Sequence, residues 1–215
     1  GTRLVFGASG YIGSNLVPAL VAAGHRVRAS ARNVEVLEGR GWDGVDLVQA
    51  DALDVDSLRH ALAGVDTAYY LVHSMAAGRD FAAIDRQAAT NFARAAADAG
   101  VRRIVYLGGL IPPNPRSQHL LSRAETGEVL RSFPVPVTEI RAGMIIGPGS
   151  AAFEVIRDLV NHLPVMITPA WVSSRSTPIA LPDLLAYLVA VPDLDEAAGR
   201  VFDTGGPHAV TYEQI

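Results

Sequence analysis

Two residues four positions apart, His119 and Arg123, have side chains that could act together on a bound molecule. They lie in the segment SQHLLSRAETGEVLRSF, and residues at that spacing share one face of a helix. An imidazole exchanges a proton near neutral pH, whereas a guanidinium stays charged and cannot relay a proton. The pair is therefore a candidate acid–base site, and the open alternative is an ordinary exposed helix surface.

Three glycines, Gly7, Gly10 and Gly13, offer a different chemistry in the stretch GASGYIG. Glycine lets the backbone turn tightly and lets a phosphate approach its amide groups, and the start of a helix adds a partial positive charge. The stretch follows the apolar run TRLVF and precedes the helical pattern YIGSNLVPALVAAG, which is the setting of a dinucleotide-binding loop. We expect a pyrophosphate to bind here, and a glycine turn without a ligand is the alternative.

The end of the second predicted strand, RASARN, indicates which dinucleotide fits. An acidic residue there would accept hydrogen bonds from a ribose 2′-hydroxyl, but Ala31 occupies the position and Arg32 follows it. A guanidinium matches a phosphate with two charge-assisted hydrogen bonds. The residues therefore favour NADP(H) over NAD(H), with Arg32 on the 2′-phosphate. A solvated arginine without a ligand is the alternative.

Short apolar strands that alternate with longer helical patterns must position these residues. The strand patterns are TRLVF, HRVRASAR, VDLVQAD, DTAYYLVH, VRRIVYLGG and VTEIRAG. Such alternation predicts parallel βαβ units in an α/β fold whose sheet is covered by helices. The pattern is less regular after residue 150, so we expect an NAD(P)-binding domain over residues 1–150 and a small substrate or lid region over residues 151–215, packed on the same domain. The final TYEQI has the pattern of a beginning helix and leaves open whether the sequence is a piece of a longer protein.

The composition argues against several kinds of chemistry. All 18 basic residues are arginine, so no lysine can serve in catalysis, and there is no cysteine. A net charge of −4 argues against broad nucleic-acid binding, and the 6 histidines form no ligand-like pair, so we expect no metal site. No apolar run is long enough to insert into a membrane and no secretory leader is visible, so we expect a cytoplasmic protein.

The motifs GASGYIG, LVQADALD, GVDTAYYLVHS, AGVRRIVYLGG and EIRAGMIIGPGS together resemble the extended and atypical short-chain dehydrogenase/reductases, and most closely their NAD(P)H-binding, NmrA-like branch. The resemblance implies a Rossmann-type, doubly wound parallel sheet with helices on both faces and a small C-terminal substrate region. It places Asp51 beside the adenine, where a helix-capping aspartate is the alternative, and His73 with Ser74 beside the nicotinamide ribose, where a plain strand end is the alternative. With the residues above, the expected cofactor-binding set is Gly7, Ser9, Gly10, Tyr11, Ile12, Gly13, Arg32, Asp51, Ala52, Leu71, Val72, His73, Gly108 and Arg123.

Active members of that superfamily use a tyrosine and a lysine four residues apart, assisted by a serine and an asparagine. By motif order these positions are His119, Arg123, Gly109 and the neighbourhood of Asp85, so all four differ from the family pattern. His119 could still donate a proton, and Arg123 could hold ribose hydroxyls. Three tyrosines are alternative donors, although the first and last of them fit packing within strands better: Tyr69, Tyr70 and Tyr106.

Two functions remain open at this point. One is an NADP(H)-dependent oxidoreductase or epimerase-like enzyme acting on a small apolar carbonyl compound or quinone, with a pocket wall that includes Met166, Trp171 and Arg175. The other is a non-catalytic, NmrA-like sensor that binds NADP(H) and changes its affinity for a partner. Helices over 80–99 and 117–131 are expected to pair in a homodimer, through faces lined by small residues: Ala88, Ala89, Ala95 and Ala96.

Overall fold

The structure is a computed structural model that describes residues 1–73, 80–112, 117–151, 154, 157–158, 175–206 and 208–211. Its strands are β1 (Thr2–Phe6), β2 (Arg26–Ala31), β3 (Asp46–Gln49), β4 (Val65–Tyr70), β5 (Arg103–Gly109), β6 (Val137–Ala142), β7 (Ile145–Ile146), β8 (Arg175–Ser176), β9 (Ile179–Ala180), β10 (Val201–Thr204) and β11 (Val210–Thr211). Its helices are α1 (Tyr11–Ala22), α2 (Glu35–Glu38), α3 (Val55–Leu62), α4 (Phe81–Asp98), α5 (Gln118–Arg131) and α6 (Leu181–Ala190).

Seven strands form one sheet in the order β10-β6-β5-β4-β1-β2-β3, and every neighbouring pair in it is parallel. The chain starts in the middle of the sheet, moves outward through β2 and β3, and then crosses back to β4 on the other side of β1. This reversal is the switch point of a doubly wound sheet, where the loops after β1 and β4 diverge and leave a crevice. The predicted Rossmann-type fold is confirmed.

Each face of the sheet is covered by its own apolar core. One core joins the sheet to α3, α4 and α5 and contains Phe6, Tyr70 and Phe92. The other joins it to α1 and α6 and contains Leu16 and Leu184. The alternation of side chains along each strand sends neighbouring residues to opposite cores, so Tyr69 and Tyr70 lie on different faces.

Local sequence signals set the helix limits. The Asp54 carboxylate accepts hydrogen bonds from the backbone N–H groups of Asp56 and Ser57, at 3.1 and 3.3 Å, and so caps α3. Ser117 Oγ accepts a hydrogen bond from Leu120 N at 3.4 Å at the start of α5. A proline occupies the first turn of α6, where its missing N–H has no intrahelical partner to lose.

The sequence did not predict β10, which extends the sheet beyond β6. β10 pairs in parallel with β6, from Val201 opposite Glu139 to Thr204 opposite Ala142. Residues after 150 therefore contribute α6 to one core and β10 to the main sheet. The division of the chain at residue 150 stays a prediction.

The four alanines expected at a dimer interface are not available for one. Ala88, Ala89, Ala95 and Ala96 are buried within this chain, with at most 6% of their surface exposed. They pack α4 against the sheet, because the narrow face of a helix that lies on a sheet favours small side chains. That part of the dimer prediction is wrong.

Buried groups from the sheet bind the carbonyl end of α6. Arg3, on β1, is 5% exposed and donates a hydrogen bond to Val189 O at 2.9 Å. Its other terminal nitrogen donates to both carboxylate oxygens of Asp193, each at 2.7 Å. The Arg3 guanidinium therefore lies at the C-terminal end of α6, where the helix dipole is negative and the last carbonyl groups lack partners within the helix.

Two further groups complete this contact. Tyr69 Oη, on β4, donates to Leu188 O at 2.9 Å, and burial raises the pKa of Tyr69 to about 12. Arg103, on β5, donates to Leu194 O at 3.2 Å. We call Arg3, Tyr69 and Arg103 the sheet clamp. The buried position of Tyr69 agrees with the expectation that it packs within a strand.

Among the described residues, no helix is both long and apolar enough to cross a membrane.

Candidate functional site

A cavity of about 480 Å³ opens at the carboxyl ends of the central strands, where the strand order reverses. It is lined by Phe6, Gly7, Ser9, Gly10, Ala31, Arg32, Ala50, Asp51, Ala52, Leu53, Tyr70, Leu71, Val72, His73, Ile84, Asp85 and Ala88. The predicted cofactor-binding residues that line it are Gly7, Ser9, Gly10, Arg32, Asp51, Ala52, Leu71, Val72 and His73. Its volume lies within the range of small-molecule sites, about 300–1,000 Å³.

At two positions of the loop after β1, the backbone conformation or the packing within the protein requires glycine. Gly7 has φ +94°, and a Cβ there would lie 2.8 Å from Val72 Cγ1. A Cβ on Gly13 would overlap Gly7 O and lie 2.7 Å from Ala8 Cα, because α1 crosses closely over the loop. These two glycines allow the turn and the tight packing of helix on loop.

Gly10 has no such internal reason to be glycine. Its φ of −74° suits any residue, and a Cβ there would meet only Gly7 O, at 3.4 Å. Gly10 is also the N-cap of α1, with no side-chain cap and no acidic residue in the first turn. Gly10 N donates to Gly7 O at 3.1 Å, and the first intrahelical hydrogen bond runs from Ser14 N to Gly10 O at 2.9 Å. The amides between them, those of Tyr11, Ile12 and Gly13, are the helix-start donors left for an anion.

Arg32 lies exposed at the cavity rim and, among the described residues, makes no hydrogen bond or ion pair. Arg28, earlier on the same strand, is used differently. Its Nε donates to Asp46 at 2.6 Å and its Nη1 donates to Ala61 O at 2.8 Å, so it ties β2 to the end of α3. Of the two arginines, only Arg32 has a guanidinium that can turn toward a ligand in the cavity.

The loop after β3 forms the wall near Arg32. Asp51 does not cap α3, because Asp54 does; its Oδ1 accepts a hydrogen bond from Leu53 N at 2.9 Å. Ala52 O accepts a hydrogen bond from the buried amide of Asn91 on α4, at 3.0 Å, which fixes the wall in place. The helix-cap alternative for Asp51 is therefore wrong, and its carboxylate remains at the cavity.

The end of β4 forms the opposite wall. Leu71 N donates to Phe6 O at 3.0 Å, which holds the first residue after β4 against β1. His73 follows two residues later and is exposed at the rim. Partial burial in the cavity wall lowers the pKa of His73, and the nearby charges of Arg123 and His119 lower it further, against a smaller opposing effect of Asp85.

Arg123 lies beside the carboxyl end of β5. Its Nη2 donates to Leu107 O at 2.9 Å, and its own carbonyl accepts the Tyr106 hydroxyl at 2.8 Å. Tyr106 is buried, and this burial raises its pKa to about 12. A Cβ on Gly109 would lie 3.8 Å from Arg123 Nη1, so the serine position of the family pattern faces Arg123 but carries no hydroxyl.

His119 stacks on Phe81, with the ring centroids 4.6 Å apart and the planes 22° from parallel, and the residue is exposed. It is not among the described residues that line the cavity, although its charge reaches His73 at the rim. Arg123, one turn further along α5, is also outside the lining, although its charge reaches His73.

Asp85 is a carboxylate buried between α4 and α5. It is 7% exposed, lines the cavity, and accepts a hydrogen bond from Ser122 Oγ at 3.0 Å. Below it, Phe6, Tyr70 and Phe92 pack ring against ring with centroid distances of 4.9 to 5.7 Å. These aromatic rings form a rigid floor for this end of the cavity.

The remaining predicted residues lie next to the cavity or beyond the described residues. Tyr11, Ile12 and Gly13 form the first turn of α1 and are not among the residues that line the cavity. Gly108 faces away, since a Cβ there would lie 2.8 Å from Glu139 Oε1. Ser74, Met166, Trp171 and the side chain of Arg175 lie outside the described residues.

Several lining residues were not predicted from the sequence, chiefly Ile84 and Ala88 on α4. Their spacing of four puts them on one helix face, yet Ala88 is buried and Ile84 is 41% exposed. Helical periodicity shows which residues share a face but not where that face leaves the core.

The fold, the glycine loop at the switch point and the cavity across it define the class of the short-chain dehydrogenase/reductases. The sequence profile of the NmrA-like family matches residues 1–147, more than half of the chain. The chain belongs to the NmrA-like family, and the resemblance inferred from its motifs is confirmed.

Similarity to characterised relatives extends beyond that profile. The chain is 32% identical over 219 aligned positions to the (4-alkanoyl-5-oxo-2,5-dihydrofuran-3-yl)methyl phosphate reductase of Streptomyces griseus, which covers 98% of this chain and 70% of that protein. It is 36% identical over 120 residues to cinnamoyl-CoA reductase 1 of Oryza sativa subsp. japonica. That match covers 52% of this chain and 36% of the Oryza protein, so the chain spans little more than a third of its length.

Solved structures with the same fold include proteins in complex with NADP(H) or NAD. The triphenylmethane reductase of Citrobacter sp., complexed with NADP(H), superposes with a TM-score of 0.82 at 21% identity, covering 100% of this chain and 73% of that one. The Bordetella bronchiseptica enzyme WbmG, in complex with NAD, superposes with a TM-score of 0.82 at 19% identity. The superposition covers 99% of this chain and 75% of that one. At these identities the similarity concerns the fold alone.

Proposed function

We propose that this protein binds NADP(H) along the cavity and uses it to reduce a small apolar carbonyl compound or quinone. One observation carries the proposal. A single cavity joins the glycine loop after β1 to Arg32 on one side and to His73 on the other. Because β1 lies between β2 and β4 in the sheet, a dinucleotide whose pyrophosphate binds at the loop has its two nucleosides directed toward these two walls.

The chain's own residues fit that ligand. Gly10 leaves room for a phosphate, and the uncapped first turn of α1 supplies amide donors. Arg32 lacks an acidic partner among the described residues and can bind a 2′-phosphate, while Arg123 supplies positive charge near the nicotinamide ribose. When bound, the dinucleotide supplies a hydride to the substrate.

The preference for NADP(H) rests on Ala31 and Arg32, since proteins with this fold bind either dinucleotide. The Streptomyces relative widens the set of compounds to test, because its name describes a dihydrofuran ring with an oxo group and a charged phosphate ester rather than an apolar molecule. That similarity places α,β-unsaturated lactones beside quinones and aldehydes as the first compounds to test.

A second candidate is a sensor that binds NADP(H) without turnover. The observation that favours it is the position of His119, which stands where active relatives carry a tyrosine and yet stacks on Phe81 and is not among the described residues that line the cavity. Whichever function holds, a homodimer formed through α4 and α5 would have to use the outer faces of these helices, where Arg86 pairs with Glu125 at 2.7 Å.

Fluorescence of bound NADPH, followed by its oxidation on adding quinones, aldehydes and an unsaturated lactone, separates the two candidates. We expect saturable binding and oxidation of at least one compound class. Binding without any oxidation favours the sensor, and the absence of binding contradicts both.

The cofactor preference has its own test. Arg32→Ala removes a charge-assisted contact of about 1.5–3 kcal/mol, so the Kd for NADP⁺ should rise by about 10- to 100-fold while the Kd for NAD⁺ stays the same. Arg26→Ala is the matched control, because Arg26 is exposed at the other end of β2. If Arg32→Ala weakens both dinucleotides equally, the assignment of the 2′-phosphate to Arg32 is wrong.

A further inference from the structure

The cavity has an acid–base group that the family pattern does not indicate. The usual donor position, His119, stacks on Phe81 and is not among the described residues that line the cavity, which leaves the lining residues as candidate donors. Among the described residues, the groups near the β4 and β5 ends that can exchange a proton are Tyr70, His73, Asp85 and Tyr106.

The two tyrosines are poor donors. Tyr70 lines the cavity but is 1% exposed, and burial raises its pKa further above the usual range. Tyr106 is committed to the carbonyl of Arg123 at 2.8 Å. Each hydroxyl would have to give up a proton from a buried position where its anion is unfavourable.

Asp85 also has a structural role. Its Oδ2 accepts the hydrogen bond from Ser122 Oγ, which links α4 to α5 in the buried layer between them. This contact commits the Asp85 carboxyl group to holding the two helices together, so we assign it a positioning role beside the cavity.

We infer that His73 is the general acid and base of this cavity, an inference that rests on the proposed reductase function. His73 lies three residues after the end of β4 at the switch point, lines the cavity beyond the glycine loop, and is exposed at the rim so that solvent can reprotonate it. The nicotinamide half of a dinucleotide bound at the loop would lie along this wall.

The charges around His73 come from both helices packed near it. Among the described residues, α4 contributes Asp85, and α5 contributes Arg123 and His119. Burial, Arg123 and His119 lower the pKa of His73, while Asp85 opposes them. His73 is thus mainly neutral at neutral pH, and its protonated fraction rises as the pH falls toward its pKa.

His73 can account for the proton that the reduction of a carbonyl compound consumes. A bound dinucleotide would supply the hydride, two electrons and one hydrogen, that the carbonyl carbon needs, and the carbonyl π electrons would move onto oxygen. Protonated His73 gives its Nε2 or Nδ1 proton to that oxygen, so an alcohol and the oxidised dinucleotide result. Neutral His73 then takes a proton from solvent, and in the reverse direction it acts as the base.

The test measures kcat against pH for the full chain, with NADPH and the carbonyl compound that it oxidises fastest. For the wild type we expect kcat to fall about tenfold per pH unit above the pKa of His73. His73→Asn keeps a similar shape without the titrating nitrogen, and it should lower kcat by about 10²–10⁴-fold and remove the pH dependence. The Kd for NADPH should change by less than about threefold, because the loop and Arg32 carry the binding.

Two further variants make the outcome decisive. His60→Asn changes an exposed histidine on α3 and should leave the pH profile intact. If His119→Phe removes the pH dependence, or if His73→Asn retains both rate and profile, the inference is wrong while the reductase function stands. If the wild type binds NADPH but oxidises it with no compound, the reductase function and this inference fail together.

Discussion

At the scale of single residues, the glycines of GASGYIG have different reasons to be glycine. Gly13 must lack a side chain because α1 crosses the loop at Gly7 and Ala8, whereas Gly10 has ordinary dihedral angles and open space around its Cα. The motif predicts a phosphate loop but not this division, since spacing in sequence does not reveal the neighbours that a Cβ would meet.

The contrast gives a matched pair of substitutions. We expect Gly13→Ala to lower the free energy of unfolding by about 1–3 kcal/mol through overpacking. We expect Gly10→Ala to change it by less than about 0.5 kcal/mol and yet to weaken dinucleotide binding about tenfold or more, since the new methyl group displaces a phosphate from the amides. Chemical denaturation and a binding titration on both variants measure this; equal losses of stability would contradict it.

Among elements, α5 is joined to the sheet by a buried carboxylate. Glu139, on β6, is 1% exposed and pairs with Arg131 of α5 and, at 2.8 Å, with Arg141. A Cβ at Gly108 or Gly127 would approach its oxygens within 2.8 Å, so both neighbouring elements leave space for it. This contact fixes the helix that carries Arg123.

Removing the charge should loosen that contact. Glu139→Gln keeps the shape but leaves two guanidinium groups without their anion, so we expect a loss of about 3 kcal/mol in the free energy of unfolding. Glu128→Gln, an exposed glutamate on α5, should change it by less than about 0.5 kcal/mol. Similar values for the two variants in urea denaturation would show that the Glu139 pairs contribute little.

Elements whose signals are local could be predicted from the sequence, and those that depend on distant partners could not. Short apolar runs predicted β1, β4 and β5, and the four-residue spacing of His119 and Arg123 predicted the helix that is α5. β10 was missed because Val201 is 38% exposed and the strand is defined by pairing with β6, about sixty residues earlier in the chain. The site has the same limit: the loop was predictable, but the stacking of His119 on Phe81 joins residues 38 positions apart and has no local signal.

At the scale of the whole molecule, the sheet clamp joins the last helix to the first strand. Arg3 contacts Val189 and Asp193 across nearly the full length of the chain, and Tyr69 and Arg103 add contacts from the strands between. The two cores are therefore coupled through the sheet, and we expect α6 to unfold together with it.

Arg3→Met tests this coupling. The variant leaves Val189 O and Asp193 without their donor, so we expect the free energy of unfolding to fall by about 2–3 kcal/mol. Native-state hydrogen exchange should show equal loss of protection in α6, β1 and β5, whereas Arg26→Met should alter none of them. Faster exchange confined to α6 would mean that the helix opens independently.

The clamp also bears on how the polypeptide is made. Arg3 carries a cation destined for the interior, and its acceptors are synthesised 186 and 190 positions later. Until α6 is made, the core around Arg3 cannot complete its packing. A nascent chain that stops before α6 therefore leaves this interior open and remains a substrate for quality-control proteases.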